Sequence, residues 1–283
     1  MGKVFKYHGV REMHRNDDAI DAAAEEIRNI GYSVIDSGLS AEELRLIREK
    51  AETIYARQVR ECGGEENLRR INDAYIGRCV VGYDDYFLRL ITNDPLTRLL
   101  AKLLGEYFIL MSQNAIINRA DREHYQITWH RDLNYQHFVC SRPIAVSALY
   151  CIDDFTESSG ATTVLPASHK VEAFPSRQFV EKHQRPVEAL AGSVIVFDAM
   201  LFHRGGYNNS GRTRLGINHI FTLPLIKQQI NLPATLGDRF KDDPKLRRIL
   251  GYESDPASTP YLWRKRRIDK VNGPSDGAAL AAG

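Results

Sequence analysis

The stretch that most restricts what this chain can become is Trp129-His130-Arg131-Asp132, answered about seventy residues later by the single His203 and then by Arg214. Two imidazoles and one carboxylate on one side of a metal, with other positions left open, make up a facial iron site. In a β-strand, residues i and i+2 point to the same face, so His130 and Asp132 can both reach inward while Arg131 points away. The third ligand then has to come from a different strand. Val194-Ile195-Val196-Phe197 reads as a strand running towards Phe202-His203 and supplies it.

Alone, a His-x-Asp pair is weak evidence, because it arises by chance in many chains and a lone His in an apolar segment is commonly a hydrogen-bonded core residue. Order and spacing strengthen it. Gly160-Ala161-Thr162-Thr163-Val164-Leu165-Pro166-Ala167-Ser168-His169-Lys170 is a tight turn feeding a strand and a loop, and it lies between the two halves of the site. Gly205-Gly206-Tyr207-Asn208-Asn209 is a turn cluster after His203, and Arg214 heads a second apolar strand, Leu215 to Phe221.

With these residues in view the chain resembles the phytanoyl-CoA dioxygenase family of iron(II)- and 2-oxoglutarate-dependent oxygenases. The resemblance runs over most of the chain. It takes in Gly31-Tyr32-Ser33-Val34-Ile35-Asp36 with Leu39-Ser40-Ala41-Glu42-Glu43-Leu44, the Trp-His-x-Asp segment, the segment from Gly160 to Lys170, and Gly192-Ser193-Val194-Ile195-Val196-Phe197-Asp198 leading to His203 and Arg214. It implies that His130, Asp132 and His203 hold Fe(II), that Arg214 rather than Arg212 pairs with the distal carboxylate of 2-oxoglutarate, and that O2 is the other co-substrate. It also implies a cofactor or substrate contact from a polar residue on the strand before the metal motif, for which Gln113 is the candidate. Relatives that halogenate have Ala or Gly where this chain has Asp132. Where family members commonly have Gly in the Leu-Pro-Gly-Ser-His-Lys turn this chain has Ala167, a departure that bears on the backbone there.

The rest of the chain fits a mainly β fold with flanking helices, a double-stranded β-helix or cupin-like jelly roll. Strands are expected over Tyr32–Ile35, Tyr107–Asn118, Ala145–Ile152, Thr162–Leu165, Val194–Phe197 and Leu215–Phe221, divided by turn residues. Along Tyr107–Asn118, strict alternation puts Leu110, Ser112, Asn114, Ile116 and Asn118 on one face and Ile109, Met111, Gln113, Ala115 and Ile117 on the other, without saying which is inner. Helices are expected from Asp17 to Arg28, after the Ser40-x-x-Glu43 capping box, over Tyr86–Ile91 and over Leu96–Leu104, and in the segment Asp238–Tyr252. Cys62–Asn67 reads as a loop, Arg119–Gln126 as a polar loop near the mouth of the site, and Pro175–Ala189 as surface. Asn134-Tyr135-Gln136-His137-Phe138 is either a substrate-recognition loop or a solvated one. His169 reads as structural, and His219 has no assigned role.

The expected organisation is a single domain over residues 1–271, with a helical buttress 1–106, a jelly-roll core 107–225 and a helical extension 226–271, followed by a disordered tail 272–283. With 43% hydrophobic and 26% charged residues the 283-residue chain has the balance of a globular protein. A net charge of +2 is too mild to argue for nucleic acid or membrane partners, and Arg264-Lys265-Arg266-Arg267 reads as a solvated face. The start lacks the apolar run of a secretory signal, so the expected compartment is the cytoplasm. Cys62, Cys79, Cys140 and Cys151 lack metal-knuckle or disulfide spacing and read as free thiols. The expected activity is hydroxylation of an aliphatic carbon of a small metabolite. Desaturation, cyclisation or epimerisation on the same iron is the neighbouring alternative, and a non-catalytic jelly-roll binding protein the remote one. The sequence leaves oligomeric state open.

Overall fold

Nine strands are arranged in two antiparallel sheets in the computed structural model, which describes residues 7–10, 16–120, 124–133, 138–240 and 242–272. In chain order they are β1 Tyr32–Asp36, β2 Ile76–Arg78, β3 Ile109–Asn118, β4 Ala145–Cys151, β5 Thr163–Val164, β6 Arg185–Pro186, β7 Ser193–Asp198, β8 His203–Arg204 and β9 Arg214–Thr222. The large sheet runs β1-β7-β4-β9-β3-β2 and the small one β6-β5-β8. This is the jelly-roll architecture expected from the short, turn-bounded strands, although the sheets do not close into a barrel.

Helices cover one face of the large sheet. Helix α1, Ala19–Ile30, starts at Asp18, whose carboxylate accepts from the amides of Ile20 and Asp21, and stops at Gly31, which takes the left-handed conformation (φ 96°). Helix α2, Ala41–Glu61, opens on the Ser40/Glu43 capping box. The short α3, Glu65–Arg70, begins inside the segment expected to be loop, because Leu68 finds a buried place that composition cannot show. A 3-10 turn, Asp85–Phe87, leads into α4, Leu88–Ile91, and Asn93 caps α5, Asp94–Leu104. Apolar side chains of α1, α2 and α5 pack with Val146, Ala148, Tyr150, Val194, Val196, Leu215, Ile217 and Phe221 into the main core. Removing one of its fully buried leucines, such as Leu99, costs about 2–5 kcal/mol in comparable cores.

The other face of the large sheet meets the small sheet. Leu149, Cys151, Ile195 and Phe197 pack there against Val164 and Val187. The register decides which polar residues share this face: Leu149 of β4 pairs with Asn218, and Asn218 with Asn114 of β3. A bulge between Leu110 and Ser112 breaks the strict alternation expected for β3. Leu110 therefore joins the helix-side core, while Ile116 and Asn118 line the cleft.

Pro175–Ala189 is mostly exposed, carrying α6, Arg177–His183, and β6, but it buries Val180 and Val187. Beyond β9 lie α7, Leu232–Leu236, and α8, Pro244–Ile249. The basic cluster falls on an exposed helix, α9, Pro260–Asn272, so Asn272 closes a helix rather than starting the tail. Asn134–His137, Asp121–Glu123 and residues 273–283, on which expectations were placed, lie outside the described residues. No helix among the described residues is long and apolar enough to cross a membrane. Among those residues the four cysteines are free.

Candidate active site

His130 does not stand in a regular strand, as expected, but in an isolated antiparallel bridge with His203. Asp132 follows in a bend, and its amide donates to the carbonyl of Ala199 at 3.0 Å. Alternation still places His130 and Asp132 on one side. Arg131 points away as predicted and is buried, its guanidinium donating to the carbonyls of Met200, Ser168, Val171 and Glu172. The second histidine also differs from expectation. Strand β7 stops at Asp198, the chain turns as the Asp198 carboxylate accepts from the amide of Met200, and His203 begins β8 in the other sheet. The three candidate ligands are thus gathered by a crossing between sheets.

The ligand atoms of His130, Asp132 and His203 lie within 4.8 Å of one another. Nε2 of His203 is 3.5 Å and Nε2 of His130 is 3.8 Å from Oδ1 of Asp132. Each Nδ1 lies against a carbonyl, Thr128 at 2.8 Å for His130 and Leu201 at 3.0 Å for His203. A carbonyl only accepts, so Nδ1 carries the proton in both rings and both Nε2 lone pairs are free. The Ser147 hydroxyl donates to Oδ2 of Asp132 and leaves Oδ1 towards the imidazoles. Burial lowers His130 to about 4, with His203 adding to the effect. Burial would raise Asp132, but His203, His130 and the Ser147 hydroxyl outweigh it and hold the carboxyl well below the usual range. A buried carboxylate beside two imidazoles with free lone pairs is a donor set that fits iron(II).

Arg214 enters the same cleft from the start of β9 and is 4% exposed. Its Nη2 donates to the Gly160 carbonyl at 2.8 Å, its Nε lies 3.3 Å from the Ser159 carbonyl, and its guanidinium stacks on Phe155. Nη1 is held by neither carbonyl. Burial lowers the group to about 10, so it remains a cation at neutral pH. The carbonyl that grips it depends on a close approach. A Cβ on Gly160 would lie 2.5 Å from the Gly206 carbonyl oxygen, so the turn before β5 and the turn after β8 meet only as glycines.

Gln113 is not in the cleft. Its side chain lies on the helix-covered face of β3, accepting from Val81, donating to Phe87 and meeting Nε2 of His219 at 2.7 Å. It is a fully buried structural amide. Asn118, on the opposite face of the same strand, is the polar β3 side chain at the cleft's edge, together with Ile116. His219, buried beside it, also meets the Ala148 carbonyl. His169 is buried against the Arg28 carbonyl, which fits a structural role.

Residues 27–216 match the family described as Phytanoyl-CoA dioxygenase (PhyH). The chain belongs to that family. Among its relatives, the uncharacterized protein Rv1501 of Mycobacterium tuberculosis is 29% identical over 246 residues, 84% of this chain and 89% of that one. EctD from S. alaskensis, solved with 2-oxoglutarate and 5-hydroxyectoine, superposes with a TM-score of 0.62 at 18% identity, over 75% of this chain and 79% of that one. The epimerase SnoN, solved with Fe3+, alpha ketoglutarate and nogalamycin RO, gives 0.56 at 17% identity, over 73% and 84%. This phytanoyl-CoA dioxygenase family member is an enzyme of the iron- and 2-oxoglutarate-dependent dioxygenase class.

Two polar residues lining the cleft of this dioxygenase, Asn218 and His124, and one behind Asp132, Ser147, escaped the sequence. Asn218 was legible in principle, because it follows Arg214 by two steps of the strand period; its amide oxygen is buried without a partner. Ser147 carries no signal until β4 is laid beside Asp132. His124 lies in the loop expected at the mouth, just before a 3-10 turn, Tyr125–Ile127, and only the tertiary structure brings it inward.

Proposed function

We propose that this dioxygenase hydroxylates an aliphatic carbon of a small metabolite, with 2-oxoglutarate converted to succinate and CO2. The observation that carries this reading is the convergence of His130, Asp132, His203 and the buried Arg214 on one cleft. His130, Asp132 and His203 would hold iron(II), which when bound supplies the redox chemistry coupling O2 and 2-oxoglutarate to C–H oxidation. The chain does the rest. Arg214 offers a planar fork matched to a carboxylate in a site shielded from water, where a charge-assisted pair is strong. Ser147 and the Thr128 and Leu201 carbonyls orient the ligands. Apolar Ile116, Ile127, Leu149 and Phe197 line the remaining space and favour an apolar carbon over bulk water. EctD, whose solved complex contains 5-hydroxyectoine, supports a hydroxylated product on this fold.

The test is a metabolite screen for stimulated succinate formation in oxygen-18 gas, with product masses recorded. A product carrying one labelled oxygen meets the expectation. A product two hydrogens lighter, or an isomer of unchanged mass, would replace hydroxylation by desaturation or cyclisation, or by epimerisation. No 2-oxoglutarate turnover with any substrate, and no 2-oxoglutarate binding, would leave the binding-protein reading.

A further inference from the structure

His124 is 4% exposed and borders the cleft that holds His130, Asp132, His203 and Arg214. Its Nδ1 accepts from the amide of Gln126 at 3.1 Å, so Nδ1 is unprotonated and Nε2 carries the hydrogen. Nε2 is itself buried and has no hydrogen-bond partner. A buried N–H left without an acceptor costs about 1–3 kcal/mol, and in a cleft built for a ligand it marks where an acceptor belongs. Burial is the main influence on the ring and lowers it to about 4, Arg214, Arg78 and His130 push the same way, and the nearby Tyr75 carbonyl opposes them without completing a hydrogen bond to Nε2. The ring is therefore neutral at physiological pH, and Arg214 and His130, between which a dicarboxylate would lie, are two of its electrostatic neighbours, the third being Arg78 outside the cleft.

We propose that His124 is a second anchor for 2-oxoglutarate, donating its Nε2–H to the distal carboxylate that Arg214 grips. A neutral donor suits this place. A carboxylate has more lone pairs than one guanidinium nitrogen can use, and a second cation so close to Arg214 would repel it in a buried site. The inference rests on the function proposed above. On its other side the ring borders a hollow lined by Tyr75, Tyr125 and Thr128, so the competing role is a contact with the primary substrate.

The deciding experiment is an anaerobic titration of the iron(II)-loaded protein, followed by the visible charge-transfer band and by calorimetry, with 2-oxoglutarate and with 2-oxobutyrate, which has no distal carboxylate. His124→Leu keeps bulk and removes the donor, and His124→Gln places an N–H near the position of Nε2. The expected result is a 2-oxoglutarate Kd raised roughly ten- to hundredfold in His124→Leu, largely restored in His124→Gln, with 2-oxobutyrate affinity unchanged in both. Unchanged 2-oxoglutarate affinity in a folded His124→Leu overturns the inference while leaving the proposed function intact, and a raised KM for the primary substrate alone would reassign the residue. Equal loss for both keto acids overturns the placement at the distal carboxylate. Failure of the unsubstituted protein to bind 2-oxoglutarate overturns the proposed function and this inference with it.

Discussion

His130 and His203 exchange both backbone hydrogen bonds, His130 amide to His203 carbonyl at 2.9 Å and the reverse at 3.0 Å. The main chain therefore sets the spacing of two candidate ligands, and leaves their side chains free to hold a metal. His203→Ala should keep the bridge and the fold but lose iron. Far-ultraviolet circular dichroism close to that of the unsubstituted protein, with iron content and turnover near zero, is the expected pair of results. Stoichiometric iron and full activity in this variant would remove His203 from the ligand set.

Arg214 is a buried cation, and removing one partner of a buried charged pair costs about 2–5 kcal/mol. Arg214→Ala should weaken 2-oxoglutarate binding roughly tens- to thousands-fold. Lys at this position should recover only part, because it lacks the fork. Unchanged affinity would transfer the role to another base.

Asp132 stands where relatives that halogenate have Ala or Gly, and as an iron ligand it would fill the position that chloride needs. In high chloride the product should therefore carry added oxygen or have lost hydrogen, and no chlorine. Mass spectrometry checks this, and a chlorinated product would contradict Asp132 as a ligand.

Asp198, which turns the chain towards His203, is 4% exposed, and burial raises it to about 6. The folded state thus holds this proton more tightly than the unfolded chain, for which the ordinary value is 3.8. Its contribution to stability is fully present below about pH 4 and is lost as pH rises through about 6. Asn keeps the acceptor for the Met200 amide but cannot ionise. Relative to the unsubstituted protein, Asp198→Asn should gain stability between pH 4 and 7, on the order of 2 kcal/mol. Urea melts across that range measure it, and a constant difference would contradict the raised pKa.

Ala167 adopts φ 62° and ψ 3°, the conformation for which relatives commonly have glycine. A non-glycine residue there costs about 1–2 kcal/mol, partly offset by the greater freedom of an unfolded glycine. Ala167→Gly should stabilise the protein by roughly 0.5–1 kcal/mol, read as an increased urea midpoint. A destabilised variant would show that the strain is relieved elsewhere.

The cluster of His130, Asp132, His203 and Arg214 as candidate groups, the jelly-roll class and the starts of the helices before β3 other than α3 were legible in the sequence because they rest on short-range rules. His-x-Asp has a period of two, Ser40 and Glu43 close a capping box within one turn, and Asn93-Asp94-Pro95 starts a helix by local backbone chemistry. The rest depended on pairing between distant segments. Gln113 and Asn118 stand on opposite faces of the same strand by simple alternation, and only the partners packed on each face decide that the amide is locked among the helices while Asn118 borders the cleft. His203 was visible as a candidate ligand, but its place at the start of β8 follows from the turn at Asp198 and the crossing to the small sheet. His124 carried no sequence signal, because a loop histidine becomes a buried, unsatisfied donor only when the fold closes around it. Local chemistry named the groups that can bind a metal and a carboxylate, and long-range packing decided which polar side chains share their cleft, since burial and register are properties of the assembled sheets.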